Sequence, residues 1–297
     1  MLKTRIAPTP SGYLHLGNVY SFVLTWLFAK QQNGRILLRI DDLDKARVRN
    51  KYIDDVFRTL DWLGMDYDEG PSGTDDFLKN HSQHKRLDLY EKLLERLESE
   101  QHLFYCTCSR AQIKATSEDG QYPGSCIQKN IDATQTNTAW RLLHNKDFTV
   151  TFKDTLRGSV NRNLWQQMRY PVLKRKDGLP AYQIASIADD THFNINTIVR
   201  GEDLLDSTAV QIHLAKLLRL NSFAENTFLH HTLIKDDQTQ KLSKSQAAPA
   251  VKAWKEKKNG KTLLLRKIAV LLNVEPDSIV HIKDLLQQFT LPKLDAP

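Results

Sequence analysis

The sequence has no apolar run approaching the roughly 20 residues that a membrane-spanning helix needs. It also has no apolar segment of the signal-peptide type near its start, where residues 1–6 lead directly into a predicted strand. We therefore expect a cytoplasmic protein with no membrane partner.

Cysteine is also scarce, because the chain has three and all of them lie between residues 106 and 126. A disulfide framework is not expected in a cytoplasmic protein. Three clustered thiols there are typical of zinc ligands, with three thiols that bind no metal as the alternative. Zinc takes four ligands in a tetrahedral array, and from chemistry alone His102 is a candidate for the fourth.

The overall composition is that of a soluble globular enzyme. The 297 residues are 40% hydrophobic and 26% charged, and this length favours about two domains. The formal net charge is +7. That charge is consistent with a polyanionic partner such as nucleic acid, and the alternative is a mildly basic enzyme without such a partner.

The beginning of the chain predicts a strand, a turn, a helix and a second strand. Lys3–Pro8 is the first strand, residues 18–32 carry apolar side chains at helical spacing, and Arg35–Ile40 is the second strand. Gly34 is predicted to end the helix as the residue directly after its cap. In such a βαβ unit the first loop lies at the edge of the sheet where nucleotides bind.

That first loop has the residues expected of a phosphate-binding turn. Ser11, Gly12 and Gly17 are small enough for the backbone to approach a ligand closely. The following helix presents its free N–H groups to phosphate, and His15 can donate a hydrogen bond to a phosphate oxygen. An ordinary surface turn is the alternative.

A second candidate segment lies late in the chain, at Lys241-Leu242-Ser243-Lys244-Ser245. Two lysines beside small hydroxyl residues suit a loop that closes over a triphosphate, where Lys244 would neutralise phosphate charge. A solvated basic loop is the alternative. Neither segment is a Walker A loop, so a P-loop ATPase is disfavoured.

Together the two segments resemble the HIGH and KMSKS signatures of class I aminoacyl-tRNA synthetases, written here as His15-Leu16-Gly17-Asn18 and Lys241–Ser245. The stretches 5–12, 39–44 and 198–205 are similar to the glutamyl and glutaminyl subgroup. Only about 50 residues follow Ser245, where a bacterial glutamyl-tRNA synthetase carries a large anticodon-binding region. In this short segment after Ser245 the chain resembles the glutamyl-queuosine tRNA(Asp) synthetase family.

The resemblance implies an α/β fold with a split Rossmann-type catalytic domain over residues 1–105 and 175–245. It also implies an inserted zinc-binding, acceptor-like subdomain over 106–174 and a small helical, stem-contact-like C-terminal domain over 246–297. The zinc would be structural, held by Cys106, Cys108 and Cys126, with Tyr122 as the fourth ligand by resemblance.

The implied activity is activation of L-glutamate with ATP in the absence of tRNA, followed by transfer to the queuosine base of tRNA(Asp). His15 and Lys244 would be catalytic, Mg²⁺ would assist, and a monomer is expected. The implied ATP-binding residues are Ser11, Gly12, His15, Gly17, Asn18, Lys241, Ser243 and Lys244. The alternatives are a compact glutamate–tRNA ligase that charges the acceptor end, and a non-catalytic nucleotide-binding regulatory module.

A glutamate site needs cations for two carboxylates and an anion for the ammonium group. By resemblance, Arg5 and Tyr182 face the side-chain carboxylate, Arg200 faces the α-carboxylate and Asp41 holds the ammonium. Ala7 and Thr9 are expected to line the pocket.

Three positions depart from the family pattern. Asp41 stands for the usual Glu and is one methylene shorter. Thr9 stands for Ser and keeps the hydroxyl. Asn18 stands for the second His of HIGH and carries no charge.

Overall fold

The computed structural model describes residues 1–146, 148–234 and 250–291. Along the chain its strands are β1 (Lys3–Ile6), β2 (Arg35–Leu38), β3 (Leu103–Cys106), β4 (Ala139–Leu142), β5 (Thr149–Asp154), β6 (Gly158–Asn163), β7 (Val172–Lys174), β8 (Thr197–Gly201) and β9 (Thr227–His231). Its α-helices are α1 (Leu16–Gln31), α2 (Asn50–Leu63), α3 (Thr74–Asp76), α4 (Leu87–Ser99), α5 (Arg110–Thr116), α6 (Leu164–Gln167), α7 (Tyr182–His192), α8 (Leu205–Leu217), α9 (Asn221–Ala224), α10 (Val251–Lys255), α11 (Gly260–Leu271) and α12 (Ile282–Gln288). A π-helical turn (Phe77–His81) and two 3₁₀ turns (Gln83–Arg86 and Glu202–Leu204) complete the set.

These elements form two compact units. The first contains the described residues of Met1–Lys85, Thr197–Glu202 and Phe228–Pro297, and the second contains Arg86–Asn196 and Asp203–Thr227. Among the described residues, no helix is both long enough and apolar enough to cross a membrane.

The first unit is built on the predicted βαβ arrangement, which is confirmed. β1 and β2 pair in parallel with Lys3 opposite Arg35 and Ile6 opposite Leu38. α1 connects them and packs against both strands and against β8. All five apolar positions that predicted this helix, Val19, Phe22, Val23, Trp26 and Leu27, are buried.

The end of α1 differs from the prediction in one residue. Asn33, not Gly34, takes the left-handed conformation, with φ of 49°. The Asn33 N–H donates to the Lys30 carbonyl and the Gly34 N–H donates to the Ala29 carbonyl, which is the Schellman arrangement with asparagine directly after the cap. A Cβ at Gly34 would clash with the end of the Leu2 side chain, which would have to move to admit a larger residue.

The second unit combines a small antiparallel sheet, in the order β3-β4-β7, with a β5–β6 hairpin and the helices α4 to α9. The residues of β5 alternate between exposed and buried, as expected of a strand with one face against the core. Apolar residues continue at helical spacing over residues 83–101, which would predict one helix, but the structure has a 3₁₀ turn followed by α4. Arg86 separates the two pieces with φ of −118° and ψ of 18°, which an α-helix does not accommodate.

Candidate active site and candidate metal centre

His15 is the N-cap of α1, and it forms a reciprocal capping box with Asn18. The His15 N–H donates to the Asn18 side-chain oxygen at 3.1 Å, and the Asn18 N–H donates to His15 Nδ1 at 3.4 Å. Because Nδ1 accepts this bond, the proton of the neutral imidazole lies on Nε2. The Asn that replaces the second His of the signature therefore orients the first one.

The two glycines of this turn have different roles. A Cβ at Gly17 would lie 3.0 Å from His15 Cε1, so a larger residue there would press on the observed ring position. A Cβ at Gly12 would meet no described atom of the protein within 4 Å. Gly12 therefore borders open space in the described part of the chain, and its part in ATP binding stays a prediction.

Two buried arginines lie on neighbouring strands of the first unit. Arg5 on β1 is 4% exposed, and its Nη1 donates to the Val199 carbonyl at 3.3 Å. Arg200, the next residue of β8, is also 4% exposed. The structure therefore places Arg5 directly against the strand segment that carries Arg200. Both predicted carboxylate-binding arginines thus lie in the same part of the first unit.

Asp41 lies beside the loop that follows β1. Its N–H donates to the Pro8 carbonyl at 2.9 Å, which places it next to the half-buried Ala7 and the exposed Thr9. The two Asp41 carboxylate oxygens accept from Arg39 Nε at 2.7 Å and Nη2 at 3.1 Å.

Sequence reasoning missed this role of Arg39. The available signal was the spacing, since residues two apart on an extended chain share a face. The ion pair fixes the direction of the shorter Asp41 side chain.

The remaining predicted residues fall into three cases. Tyr182 is the first residue of α7, belongs to the second unit and is 41% exposed, so its part in glutamate binding stays a prediction. Lys241, Ser243 and Lys244 lie outside the described residues. Ser11 is half-buried, and its N–H donates to the Thr9 carbonyl at 2.9 Å.

The second unit brings the three cysteines together. Cys106 ends β3, and the three Sγ atoms all lie within 4.8 Å of one another. Cys106 and Cys126 are buried, and the Cys108 and Cys126 sulfurs are 3.5 Å apart. This spacing fits three ligands of a single metal ion.

The structure places the two candidates for a fourth ligand differently. The Tyr122 hydroxyl lies 3.9 Å from Cys108 Sγ and accepts the Cys126 N–H at 3.0 Å. His102 Nε2 instead lies 3.6 Å from a Glu100 carboxylate oxygen. The geometry therefore favours the tyrosine.

The acidities of these groups also differ. Burial raises the pKa of the Cys108 thiol and the pKa of the Tyr122 phenol. Burial acts in the same direction on Cys126, but hydrogen bonds from Tyr122, the Thr107 backbone and Cys108 outweigh it and lower the pKa of Cys126 to about 7. A thiolate, the form that binds metal, is thus accessible at Cys126 near neutral pH.

Comparison with known proteins defines the family. A sequence model described as "tRNA synthetases class I (E and Q), catalytic domain" matches residues 1–291. The chain belongs to this family of class I tRNA synthetases. It has the α/β fold with a parallel strand pair that such a catalytic domain requires.

Individual relatives show which members of this family the chain is similar to. The glutamyl-Q tRNA(Asp) synthetase of Pseudomonas putida is 36% identical over 267 residues, which cover 90% of this chain and 82% of that protein. Glutamate–tRNA ligase 2 of Syntrophus aciditrophicus is 30% identical, with 98% of this chain and 62% of that protein covered. The chain thus spans between 52% and 62% of the length of the glutamate–tRNA ligases that it matches. A glutamate–tRNA synthetase structure from Elizabethkingia anophelis shares the fold, with a TM-score of 0.78 at 24% identity over 99% of this chain and 66% of that one.

Proposed function

We propose that this protein uses ATP to activate L-glutamate as glutamyl-adenylate without tRNA, and that it then transfers the glutamate to queuosine at the wobble position of tRNA(Asp). The observation that carries the proposal is His15 at the N-cap of α1, with its ring oriented by Asn18 and Gly17. The 36% identity to a glutamyl-Q tRNA(Asp) synthetase over 82% of that protein supports the acceptor.

The amino acid of the proposal follows from the buried charges. Glutamate brings two carboxylates, which match the two buried guanidinium groups of Arg5 and Arg200. A carboxylate has about four lone-pair sites, so Asp41 can accept an ammonium N–H while Arg39 holds it. Glutamine has one carboxylate and would make one charge-assisted pair where glutamate makes two.

The proposed chemistry needs no protein nucleophile. The glutamate α-carboxylate attacks the α-phosphorus of ATP, the bond from that phosphorus to the pyrophosphate oxygen breaks, and a mixed anhydride forms. His15 Nε2–H would donate to a phosphate oxygen as charge builds up, and Lys244 would neutralise the departing phosphates together with Mg²⁺ that enters with ATP. A queuosine hydroxyl then attacks the glutamyl carbonyl carbon, AMP leaves, and the hydroxyl proton passes to solvent.

The cysteine cluster fits a structural zinc ion. Three sulfurs within 4.8 Å of one another and the adjacent Tyr122 hydroxyl supply four ligands, which leaves no open position for catalysis. When bound, zinc would cross-link β3 to the turn that carries Cys126. We therefore assign the metal to the stability of residues 106–174 and to no step of the reaction.

The acceptor is tested by transfer of radiolabelled glutamate to three RNAs: tRNA(Asp) with queuosine, the same tRNA without it, and tRNA(Glu). We expect label on the queuosine-containing tRNA alone. Digestion with a ribonuclease that cuts after pyrimidines should leave the label off the released terminal adenosine. Label on that adenosine, or charging of tRNA(Glu), would instead show an acceptor-end glutamate–tRNA ligase.

A further inference from the structure

We propose that Asp55 is a positioning residue for the His15 turn, and that Lys255 holds Asp55 in place. This inference rests on the proposed function, because it deepens the role given there to His15. Neither residue belongs to the HIGH-like or KMSKS-like segments.

Asp55 contacts the backbone of the turn through its side chain. It lies on α2, is 6% exposed, and its Oδ2 accepts the Leu14 N–H at 3.1 Å. Leu14 is the residue directly before His15. A hydrogen bond from a backbone N–H to a charged carboxylate is about twice as strong as one between neutral groups. Asp55 therefore fixes the backbone immediately before the capping histidine.

Lys255 supplies the positive charge that a buried carboxylate requires. Its Nζ lies 3.1 Å from Asp55 Oδ1 and donates to Thr59 Oγ1 at 2.8 Å. The Thr59 hydroxyl in turn donates to the Asp55 backbone carbonyl at 2.6 Å. Asp55 is thus held at both carboxylate oxygens and at its carbonyl.

The same turn is also bound to the chain that leads into α10. Ala250 forms an antiparallel bridge with His15, and the Val251 N–H donates to the Leu14 carbonyl at 2.8 Å. Lys255 is the last residue of the helix that begins at Val251. The contacts therefore close a ring that runs from the His15 turn to α10, through Lys255 to Asp55, and back to Leu14.

This ring has a chemical consequence. His15 must present Nε2 to a transferring phosphate, and a displacement of about 1 Å in such a group can cost on the order of 100-fold in rate. Removing Lys255 would leave a buried, uncompensated carboxylate, which shifts towards solvent or takes up a proton. Either change releases the Leu14 N–H and with it the orientation of the turn.

The test compares Lys255→Met with Lys267→Met, which removes the same charge from an exposed position on α11. Each protein is assayed for glutamate-dependent ATP–pyrophosphate exchange without tRNA, with rates normalised to the number of active sites titrated by adenylate formation. We expect Lys255→Met to lower kcat about tenfold while the KM for glutamate stays within twofold, and Lys267→Met to match the wild type. In the double variant Asp55→Asn/Lys255→Met the loss should be no larger than in Lys255→Met alone.

A normal kcat in Lys255→Met, or losses that multiply in the double variant, would overturn the proposal.

A second measurement distinguishes failure of the positioning role from failure of the proposed function. The ¹⁵N spectrum of the His15 imidazole, recorded without substrates, should show the Nε2–H tautomer in the wild type and in Lys267→Met, and tautomer averaging in Lys255→Met. A wild-type enzyme that lacks exchange activity but shows this difference refutes the function and supports the positioning role. The same tautomer pattern in all three proteins refutes the positioning role.

Discussion

The His15 turn and the cysteine cluster are assembled by different means. In the turn, protein groups bind the backbone at and beside His15. The Asn18 side-chain oxygen accepts the His15 N–H, the Asp55 carboxylate accepts the Leu14 N–H, and Ala250 forms a bridge with His15. In the cluster, the Cys108 sulfur contacts the Cys126 thiol and the Tyr122 phenol. The first arrangement is complete without a ligand, whereas the second gains most from a cation.

The largest expected effect follows from this difference. Cys126→Ser should reduce bound zinc from one equivalent to well under half and should destabilise the second unit by at least about 3 kcal/mol, because metal binding contributes directly to folding. Metal analysis and hydrogen exchange in β3 and β4 would measure the two losses. The His15 turn, which needs no metal, should keep its hydrogen-exchange protection.

Two further variants identify the fourth ligand. Tyr122→Phe should make the zinc easier to remove with a chelator, and His102→Ala should leave it unchanged. A wild-type protein that binds well under one equivalent of zinc would remove the distinction between the two regions.

A smaller effect sharpens the account of the turn itself. Gly12→Ala should raise the KM for ATP about tenfold while the melting temperature stays constant, because the added methyl group meets no described atom within 4 Å and would occupy space that the proposal gives to ATP. Gly17→Ala should instead lower kcat, because its methyl group would lie 3.0 Å from the His15 ring. Steady-state exchange kinetics separate the two outcomes. Equal effects of both variants on KM and kcat would contradict the separate roles.

The smallest expected effect concerns acid stability in the second unit. Burial, assisted by His144, His102 and Lys216, lowers the pKa of His213 to about 4. Between an unfolded value of about 6.5 and this value the unfolded chain binds the proton and the folded protein does not, so the free energy of unfolding falls as the pH falls through that window.

The variant His213→Gln should remove about 1–2 kcal/mol of this pH dependence, a value reduced from the full shift because the ring is only partly buried. The exposed His192 gives the matched control, His192→Gln, in the same unit. Urea titrations at pH 7 and pH 5 measure both variants. An unchanged pH dependence in His213→Gln would show that other groups control acid stability.

The sequence predicted most completely what local patterns determine. The β1–α1–β2 unit follows from helical spacing of apolar residues between two short strands, and the five apolar positions that predicted the helix are all buried. The predicted end of the helix was less accurate, since Asn33 takes the left-handed conformation at the position predicted for Gly34. Both residue types tolerate that conformation, and only the close contact of Gly34 with Leu2 distinguishes them.

Contacts between segments that are distant along the chain could not be predicted from the sequence. Asp55 lies in a helix whose apolar spacing gives no sign that this carboxylate is buried, and its partner Lys255 is 200 residues away. The Arg39–Asp41 pair is closer in sequence, yet its bidentate geometry depends on the course of the chain after β2. The cysteine cluster was predictable, because three thiols within 21 residues can only serve a few structural purposes.

The central claim is that the His15 turn and the two buried arginines activate glutamate before any tRNA is present. ATP–pyrophosphate exchange with the purified protein, assayed without tRNA and with glutamate, glutamine or aspartate, tests it most directly. We predict exchange with glutamate, at least about 100-fold more than with either other amino acid, since the proposed site binds two carboxylates at the spacing that glutamate provides. An absolute requirement for tRNA, or equal exchange with glutamine, would contradict the claim.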